Sequence, residues 1–355
     1  MIDRREVRGT VTGAAVVGLY LILVLASGRV NLDQFWIMFL SYGAASMGLW
    51  LGVGVVSMFV QLFRRARGSG NQPFLARFAR EAVTERWQRD RGLSLIWPPL
   101  LFGSLMATFN SFKQMVLPLA GYRFDDAFAA ADRVLFVGND GWRVTHALFG
   151  SPGATVAIDR LYHGWFAPVA LGVIICAWLP ASTYRLRTQY LFSYIAVWIG
   201  LGSVLAFLLP AAGPCFYPQL VGANAGFQQL LERLSDIQAS SGVPLLALHN
   251  QQVLWHAHTH DSLAFGGGIS AMPSVHNGLA VLFALAAWRV KPVLGMIFGA
   301  YAALIWIGSI HLGWHYAVDG IVAGLLTYWI WRLCGKLADR LERPLFPQPA
   351  ETALA

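Results

Sequence analysis

Gly308-Ser-Ile-His-Leu-Gly-Trp-His-Tyr-Ala-Val-Asp319 joins two apolar stretches near the end of the chain. His315 and Asp319 are four residues apart, a spacing that places two side chains on the same face of a helix. A carboxylate one turn from an imidazole can accept its N–H bond, which leaves the other ring nitrogen free to attack an electrophile. The pair falls at the N-terminal end of the last apolar stretch, where the helix dipole favours a bound phosphate. The alternative is an interfacial pair that only anchors the helix.

A second segment, Ala271-Met-Pro-Ser-Val-His-Asn277, opens the preceding hydrophobic helix. Pro273 and Ser274 suit the turn into a helix, so His276 falls in its first turn. A nucleophilic histidine needs a partner that protonates the leaving oxygen and then activates an acceptor. His276, His315 and Asp319 are therefore predicted to converge as catalytic residues from two helices that begin on the same side of a membrane.

The composition predicts an all-α polytopic membrane protein. Of the 355 residues, 56% are hydrophobic and 12% are charged, whereas about a quarter are charged in soluble domains. A membrane span needs about 20 apolar residues. Eight stretches are candidates, at about 11–28, 35–62, 94–113, 161–181, 188–210, 276–289, 293–310 and 316–335.

The charge distribution predicts the orientation of these spans. With the N-terminus inside, 19 of the 26 basic residues and eight of the 18 acidic residues lie on the cytoplasmic side. The positive-inside rule therefore places both termini in the cytoplasm of an inner or plasma membrane. All nine histidines then fall at the periplasmic or lumenal side, which predicts an outward-facing active site. Topology and anionic lipids account for the net charge of +8, so nucleic acid is not expected as a partner.

The segments between the spans suggest four regions. The predicted regions are two N-terminal spans at 1–63, a cytoplasmic basic amphipathic segment at 64–92, a catalytic membrane domain at 93–336 and a cytoplasmic tail at 337–355. Two outer segments are expected inside the catalytic domain, a surface element at 118–160 and a long polar loop at 211–275. The start of the chain also resembles a signal peptide that ends near Gly28, although an uncleaved first span is favoured.

Pro273-Ser-Val-His276 followed by His315-Tyr-Ala-Val-Asp319 resembles the type-2 phosphatidic acid phosphatase (PAP2) superfamily. The separation of 39 positions between the two histidines is most similar to its inositol-phosphorylceramide-synthase branch, an inositolphosphotransferase branch. The resemblance covers roughly residues 94–335 and implies a six-helix catalytic core. It also implies that His315 forms a phosphohistidine, that Asp319 orients it and that His276 is the general acid and base. No metal and no cofactor are implied.

Further residues are predicted to bind substrate or phosphate. Gly213-Pro-Cys-Phe-Tyr217 and Tyr162-His163-Gly-Trp-Phe166 are also similar to the synthase branch. In the phosphatase branch a Ser-Arg dipeptide precedes the nucleophile, but this chain has Gly308-Ser309 at that position. The candidates are Ser274, His311, Lys113, Arg123, Gly213, Tyr217, Tyr162 and His163.

The expected reaction moves a phosphoryl-headgroup from a phospholipid to a lipid hydroxyl through His315. A lipid phosphatase with the same catalytic residues is the alternative, and a non-catalytic lipid transporter is a third candidate from another class. Membrane lipids are the expected partners. The run His256-Ala-His-Thr-His260 is favoured as part of a flexible polar loop over the site. A zinc site formed by alternate histidines of an extended strand is the alternative.

Overall fold

The computed structural model describes residues 4–66, 92–179, 181–260 and 262–342, which contain helices and no β-strand. Most of the segment predicted to be a cytoplasmic amphipathic helix, 67–91, lies outside these residues. So does most of the predicted tail, 343–355. The described part of the chain is an all-α polytopic membrane protein, as predicted.

The long apolar helices form the transmembrane bundle. Among the described residues, six helical segments are long and apolar enough to cross a membrane: Arg5–Ala26, Leu32–Val60, Pro152–Trp178, Tyr184–Leu208, Pro292–His311 and Ala317–Glu342. In chain order the elements that form the bundle are α1 (Arg4–Ala26), α2 (Leu32–Ala66), α3 (Gly92–Ser111), α6 (Pro152–His163), α7 (Phe166–Trp178), α8 (Tyr184–Ala196), α9 (Ala206–Leu208), α13 (Val275–Val290), α14 (Pro292–His311) and α15 (Ala317–Glu342).

Two further apolar helices correspond to the remaining predicted spans. Helix α3 carries Pro98 and Pro99 and continues as a π-helix, Phe112–Val116. Helix α13 has 16 residues and is shorter than the other membrane helices. It packs against α14, α15 and α8, so it is surrounded by other helices of the bundle. The PSVH segment forms its N-terminal end. A second π-helix, Val197–Leu205, links α8 to α9.

The segments predicted as outer surface elements are largely helical. They contain α4 (Asp125–Leu135), α5 (Gly141–Phe149), α10 (Tyr217–Leu220), α11 (Ala225–Ser241) and α12 (Leu246–His260). The prediction of a long polar loop at 211–275 is wrong over 217–220, 225–241 and 246–260. The sequence of this segment does contain residues typical of helix ends: Asn224 caps the start of α11, and Gly242 ends the helix with a φ of 66°.

Two buried aspartates, one from this helical layer and one from the bundle, each cap a helix of the other. Asp132 of α4 accepts N–H bonds from Ala317 and Val318, the first two residues of α15, at 2.7 and 3.0 Å. Asp159 of α6 accepts bonds from Leu246 and Ala247 at the start of α12, both at 2.8 Å. The first N–H groups of a helix have no partner within it, so these carboxylates satisfy them. The layer is thereby attached to the end of the bundle that carries His276 and His315, called the histidine end below.

Removal of the Asp132 carboxylate should loosen the start of α15. Burial raises the pKa of this carboxyl to about 6. We expect Asp132→Ala to lower the free energy of unfolding by about 0.5–2 kcal/mol, the usual cost of losing a cap. Asp132→Asn should cost less, because the amide oxygen can still accept one bond and carries no buried charge. Thermal unfolding in detergent measures both. Asp236→Ala, at an exposed position of α11, is the matched control, and an equal loss in that variant would contradict the capping role.

Candidate active site

His315 lies in a short break between α14 and α15 rather than inside the last helix. Its Nδ1 donates a hydrogen bond to the carbonyl of Ala271 at 2.8 Å, and Oδ2 of Asp319 lies 3.4 Å from the same nitrogen. A carbonyl oxygen can only accept, so Nδ1 carries the proton and Nε2 holds the free lone pair. The geometry therefore leaves Nε2 as the ring nitrogen that is available to react. The sequence pattern pointed to Asp319 and missed the carbonyl of Ala271.

Asp319 has a second function at the start of α15. Its Oδ2 accepts the backbone N–H of Tyr316 at 3.0 Å, the reciprocal bond of a capping box. The side chain is fully buried, and Oδ1 has no hydrogen-bond partner within the described chain. A buried, unpartnered carboxylate oxygen next to an imidazole favours a positive charge on the ring. This arrangement suits a histidine that becomes cationic when it is phosphorylated.

His276 is held by aromatic rings rather than by hydrogen bonds from its ring. It stacks on Trp165, with centroids 4.1 Å apart and planes at 29°, and on Tyr162 at 5.3 Å and 14°. The Nε1–H of Trp165 also donates to the backbone carbonyl of His276 at 3.1 Å. Among the described residues neither ring nitrogen of His276 has a hydrogen-bond partner. A ring of fixed orientation with unoccupied nitrogens can exchange protons with a substrate.

His276 and His315, the two candidate catalytic histidines, line one cavity of about 460 Å³. Their ring centroids are 5.8 Å apart, so one phosphoryl group can contact both. The cavity has a polar end at His276 and His315 and continues along apolar side chains that include Phe102, Met106, Phe109 and Trp198. This shape fits a ligand with an anionic head and an apolar tail.

One cation and several neutral polar groups line the cavity. Lys113 and His163 lie near His276, Asn250 also lines the cavity, and no Asp or Glu is among the described lining residues. Nδ1 of His163 donates to the carbonyl of Asp159 at 2.8 Å, which leaves its Nε2 unprotonated in the neutral ring. Lys113 has no ion-pair partner in the described parts of the chain. The positive charge of Lys113 is therefore available to an anionic ligand.

The break that carries His315 is held in place by side chains that the sequence analysis did not identify. His146 of α5 donates to the carbonyl of His311 at 2.9 Å, and Gln251 of α12 donates to that of Leu312 at 3.0 Å. Asp125, whose pKa is raised by burial, accepts the hydroxyl of Tyr316 at 2.8 Å. The sequence feature that could have indicated these partners is the seven-residue spacing of Asp125 and Asp132, which places both on one face of α4.

Asp125 also connects the break to the Gly213-Pro-Cys-Phe-Tyr217 motif. It accepts N–H bonds from Ala212 at 2.8 Å and Gly213 at 2.9 Å. The φ of Gly213 is 92°, and a Cβ at this position would lie 2.8 Å from the carbonyl oxygen of Trp314. Only glycine tolerates both conditions. Gly213 therefore supports the loop of His315 from behind and does not line the cavity.

The structure separates the other predicted binding residues into two groups. Tyr162, His163 and Lys113 line the cavity. The other side chains do not line it: Ser274 caps α13 through the N–H of Asn277, Tyr217 donates to Asp126, and Arg123 is exposed.

His311 also points away from the cavity. Its ring stacks on His146 at 3.8 Å, and its Nε2 lies 3.0 Å from the hydroxyl of Thr155. One helical turn separates His311 from His315, but the chain leaves the helix between them. The two side chains consequently do not share a face.

The sequence model of the PAP2 superfamily matches residues 126–333, more than half of the chain. The matched region includes His276, His315 and Asp319 and confirms the superfamily that the motifs indicated. No curated protein and no solved structure gives a significant match.

The two acceptors around Nδ1 of His315 predict different effects for two substitutions. In Asp319→Asn the carbonyl of Ala271 still fixes the tautomer, and only the negative charge is lost. We expect kcat for a labelled phospholipid to fall by roughly 10²–10³-fold, while His315→Ala should abolish turnover. Steady-state kinetics in mixed micelles measures both variants. If Asp319→Asn is as inactive as His315→Ala, the carbonyl does not hold the tautomer.

Proposed function

Because this chain belongs to the PAP2 superfamily, whose members are phosphatases or phosphotransferases, we propose that it transfers a phosphoryl-headgroup from a phospholipid to a lipid hydroxyl. The chain is an enzyme of that superfamily, and the choice of acceptor is the proposal. The observation that carries it is the single cavity that joins two catalytic histidines to a long apolar arm.

The proposed reaction has two displacements at phosphorus. Nε2 of His315 attacks the phosphorus of the donor, and the bond to the lipid alcohol breaks as His276 protonates the leaving oxygen. His276 then removes the proton from the acceptor hydroxyl, whose oxygen attacks the phosphorus and releases His315. Asp319 stabilises the cationic ring between the two steps. Protons and charges balance without a further reactant.

The polar end of the cavity supports a phosphodiester substrate with a polar headgroup. Lys113 supplies a cation beside the two histidines, in place of the arginine that the phosphatase branch carries before its nucleophile. Asn250 and Ser270 add neutral hydrogen-bonding groups to the lining of the same cavity. An uncharged polyol such as inositol, attached through phosphate, matches this set. The inositol-phosphorylceramide-synthase branch is accordingly the proposed relationship within the superfamily.

The apolar arm supports lipid as the leaving group and as the acceptor. It runs between α3, α7 and the π-helix that follows α8, all of which belong to the membrane bundle. Phe166 and Phe265 line the cavity and are 58% and 63% exposed, which gives the cavity an apolar mouth. A lipid can enter through such a mouth without crossing water. We propose that this mouth opens to the outer leaflet, in accord with the positive-inside count.

A product assay tests the proposal. Purified protein receives labelled phosphatidylinositol or phosphatidic acid in mixed micelles, with and without ceramide or diacylglycerol, and mass spectrometry follows lipids and free phosphate. We expect a new phospholipid that requires both the acceptor and His315. Free phosphate in the absence of an acceptor would identify a lipid phosphatase. No product that depends on His315 would contradict the catalytic proposal for these substrates, and lipid movement retained in His315→Ala would favour a carrier.

The role proposed for Lys113 predicts a loss of substrate affinity. Lys113→Met keeps the length of the side chain and removes its charge, so KM should rise by roughly 10–150-fold, as loss of a charge-assisted hydrogen bond of about 1.5–3 kcal/mol implies. Lys113→Arg should retain most of the affinity. Arg123→Met, which changes an exposed cation outside the cavity, is the matched control. A KM that rises equally in the control would exclude a specific role for Lys113.

A further inference from the structure

The histidine run at 256–260 lies on a helix, and this changes which of its members can act together. These residues form the last turn and a half of α12. This segment is therefore not an extended strand, and the zinc site that alternate histidines of a strand would form does not exist here. On a helix His256 and His260 share a face, because they are four residues apart. His258 points elsewhere and contacts Trp255 and Tyr122.

The two rings on that face are already close to each other. Their centroids are 4.2 Å apart and their planes differ by 11°. Two nitrogens bound to one tetrahedral zinc ion at 2.0–2.1 Å are roughly 3.3 Å apart. The lone pair of an imidazole nitrogen lies in the ring plane, so a tilt of the rings out of this nearly parallel stack is needed to direct one nitrogen of each toward a shared ion. Both residues are exposed, so the tilt meets little resistance and an ion can reach them from solvent.

The hydrogen bond of His260 prepares one nitrogen for a metal. Its Nδ1 lies 3.1 Å from the backbone carbonyl of His256, which can only accept, so Nδ1 carries the proton. The hydroxyl of Thr259 lies 2.9 Å from the same nitrogen. The unprotonated Nε2 is then available as a ligand. Metal-binding histidines typically donate their other N–H to a carbonyl or carboxylate, which fixes the ring.

We propose that His256 and His260 form a binding site for a divalent transition metal, Zn²⁺ or Cu²⁺, on the surface of α12. Within the part of the chain that the structure describes, no group of three His, Cys, Asp or Glu side chains is placed to share an ion. Water therefore completes the coordination, and the bound ion exchanges with solvent. The site is separate from the proposed reaction, which uses no metal.

The position of the site connects it to the wall of the cavity. Asn250, Val253 and Leu254 of the same helix line the cavity, and His256 follows two residues later. An ion that bridges His256 and His260 links consecutive turns at the C-terminal end of α12. It consequently stabilises that end of the helix, where backbone carbonyls have no partner within the helix.

Metal titration of the purified full-length chain, prepared without a polyhistidine tag, tests the site. We expect Zn²⁺ to raise the temperature of unfolding in a saturable manner, because a ligand that binds only the folded state stabilises it. Cu²⁺, which binds nitrogen ligands more tightly, should give an electron paramagnetic resonance spectrum with hyperfine coupling to two imidazole nitrogens. Both signals are independent of enzymatic activity.

Single substitutions separate this site from other histidines. His256→Gln and His260→Gln should each weaken binding by more than the 10–100-fold that follows loss of a ligand's hydrogen-bond partner. His249→Gln is the matched control, since His249 is exposed on the same helix and has no histidine four residues away. Unchanged affinity in either single variant, or equal loss in the control, would overturn the proposal.

Discussion

The break between α14 and α15 imposes the constraint on which the histidine end depends. The chain must leave one apolar helix and enter the next within Leu312–Tyr316, and the backbone groups freed at both helix ends are buried. An unpaired buried backbone group costs as much as a lost hydrogen bond, and within a membrane protein few waters can replace it. The carbonyls and N–H groups of the break therefore need partners from elsewhere in the chain.

Those partners account for the helical layer over the histidine end. The carbonyls of His311, Leu312 and Gly313 accept bonds from His146, Gln251 and the backbone of Cys215. The start of α15 is capped by Asp132. Each donor or acceptor comes from a different part of 125–251, so the break has all its partners only when the layer is in place. A loop supported in this way holds His315, which lines the cavity, in a fixed position.

The sequence predicted the bundle, and it also singled out His276, His315 and Asp319 as candidate catalytic residues, because both features leave local patterns. Apolar stretches of about 20 residues identify spans, and the i, i+4 pair with PSVH identifies the histidines. Tertiary partners leave no such pattern. The acceptor for His315 is the backbone carbonyl of Ala271, and the type of residue at that position does not predict this contact. The prediction for His311 applied helical spacing across the break: α14 ends at His311 and α15 begins at Ala317, so the four-residue separation from His315 does not place the two side chains on one face.

The residues at the polar end of the cavity and those of its apolar wall come from different parts of the chain. His276, His315 and Asp319 lie within the segment that matches the superfamily, 126–333. Much of the apolar arm precedes that segment, since Phe102, Met106 and Phe109 belong to α3. Tyr42 of α2 also lines the cavity and accepts the N–H of Gly266 at 3.2 Å. The shape of the apolar wall can therefore vary through the N-terminal helices without change at His276 and His315. On this basis we infer that the chemistry is a property of the superfamily, whereas the selection among apolar ligands depends on helices that its sequence model does not include.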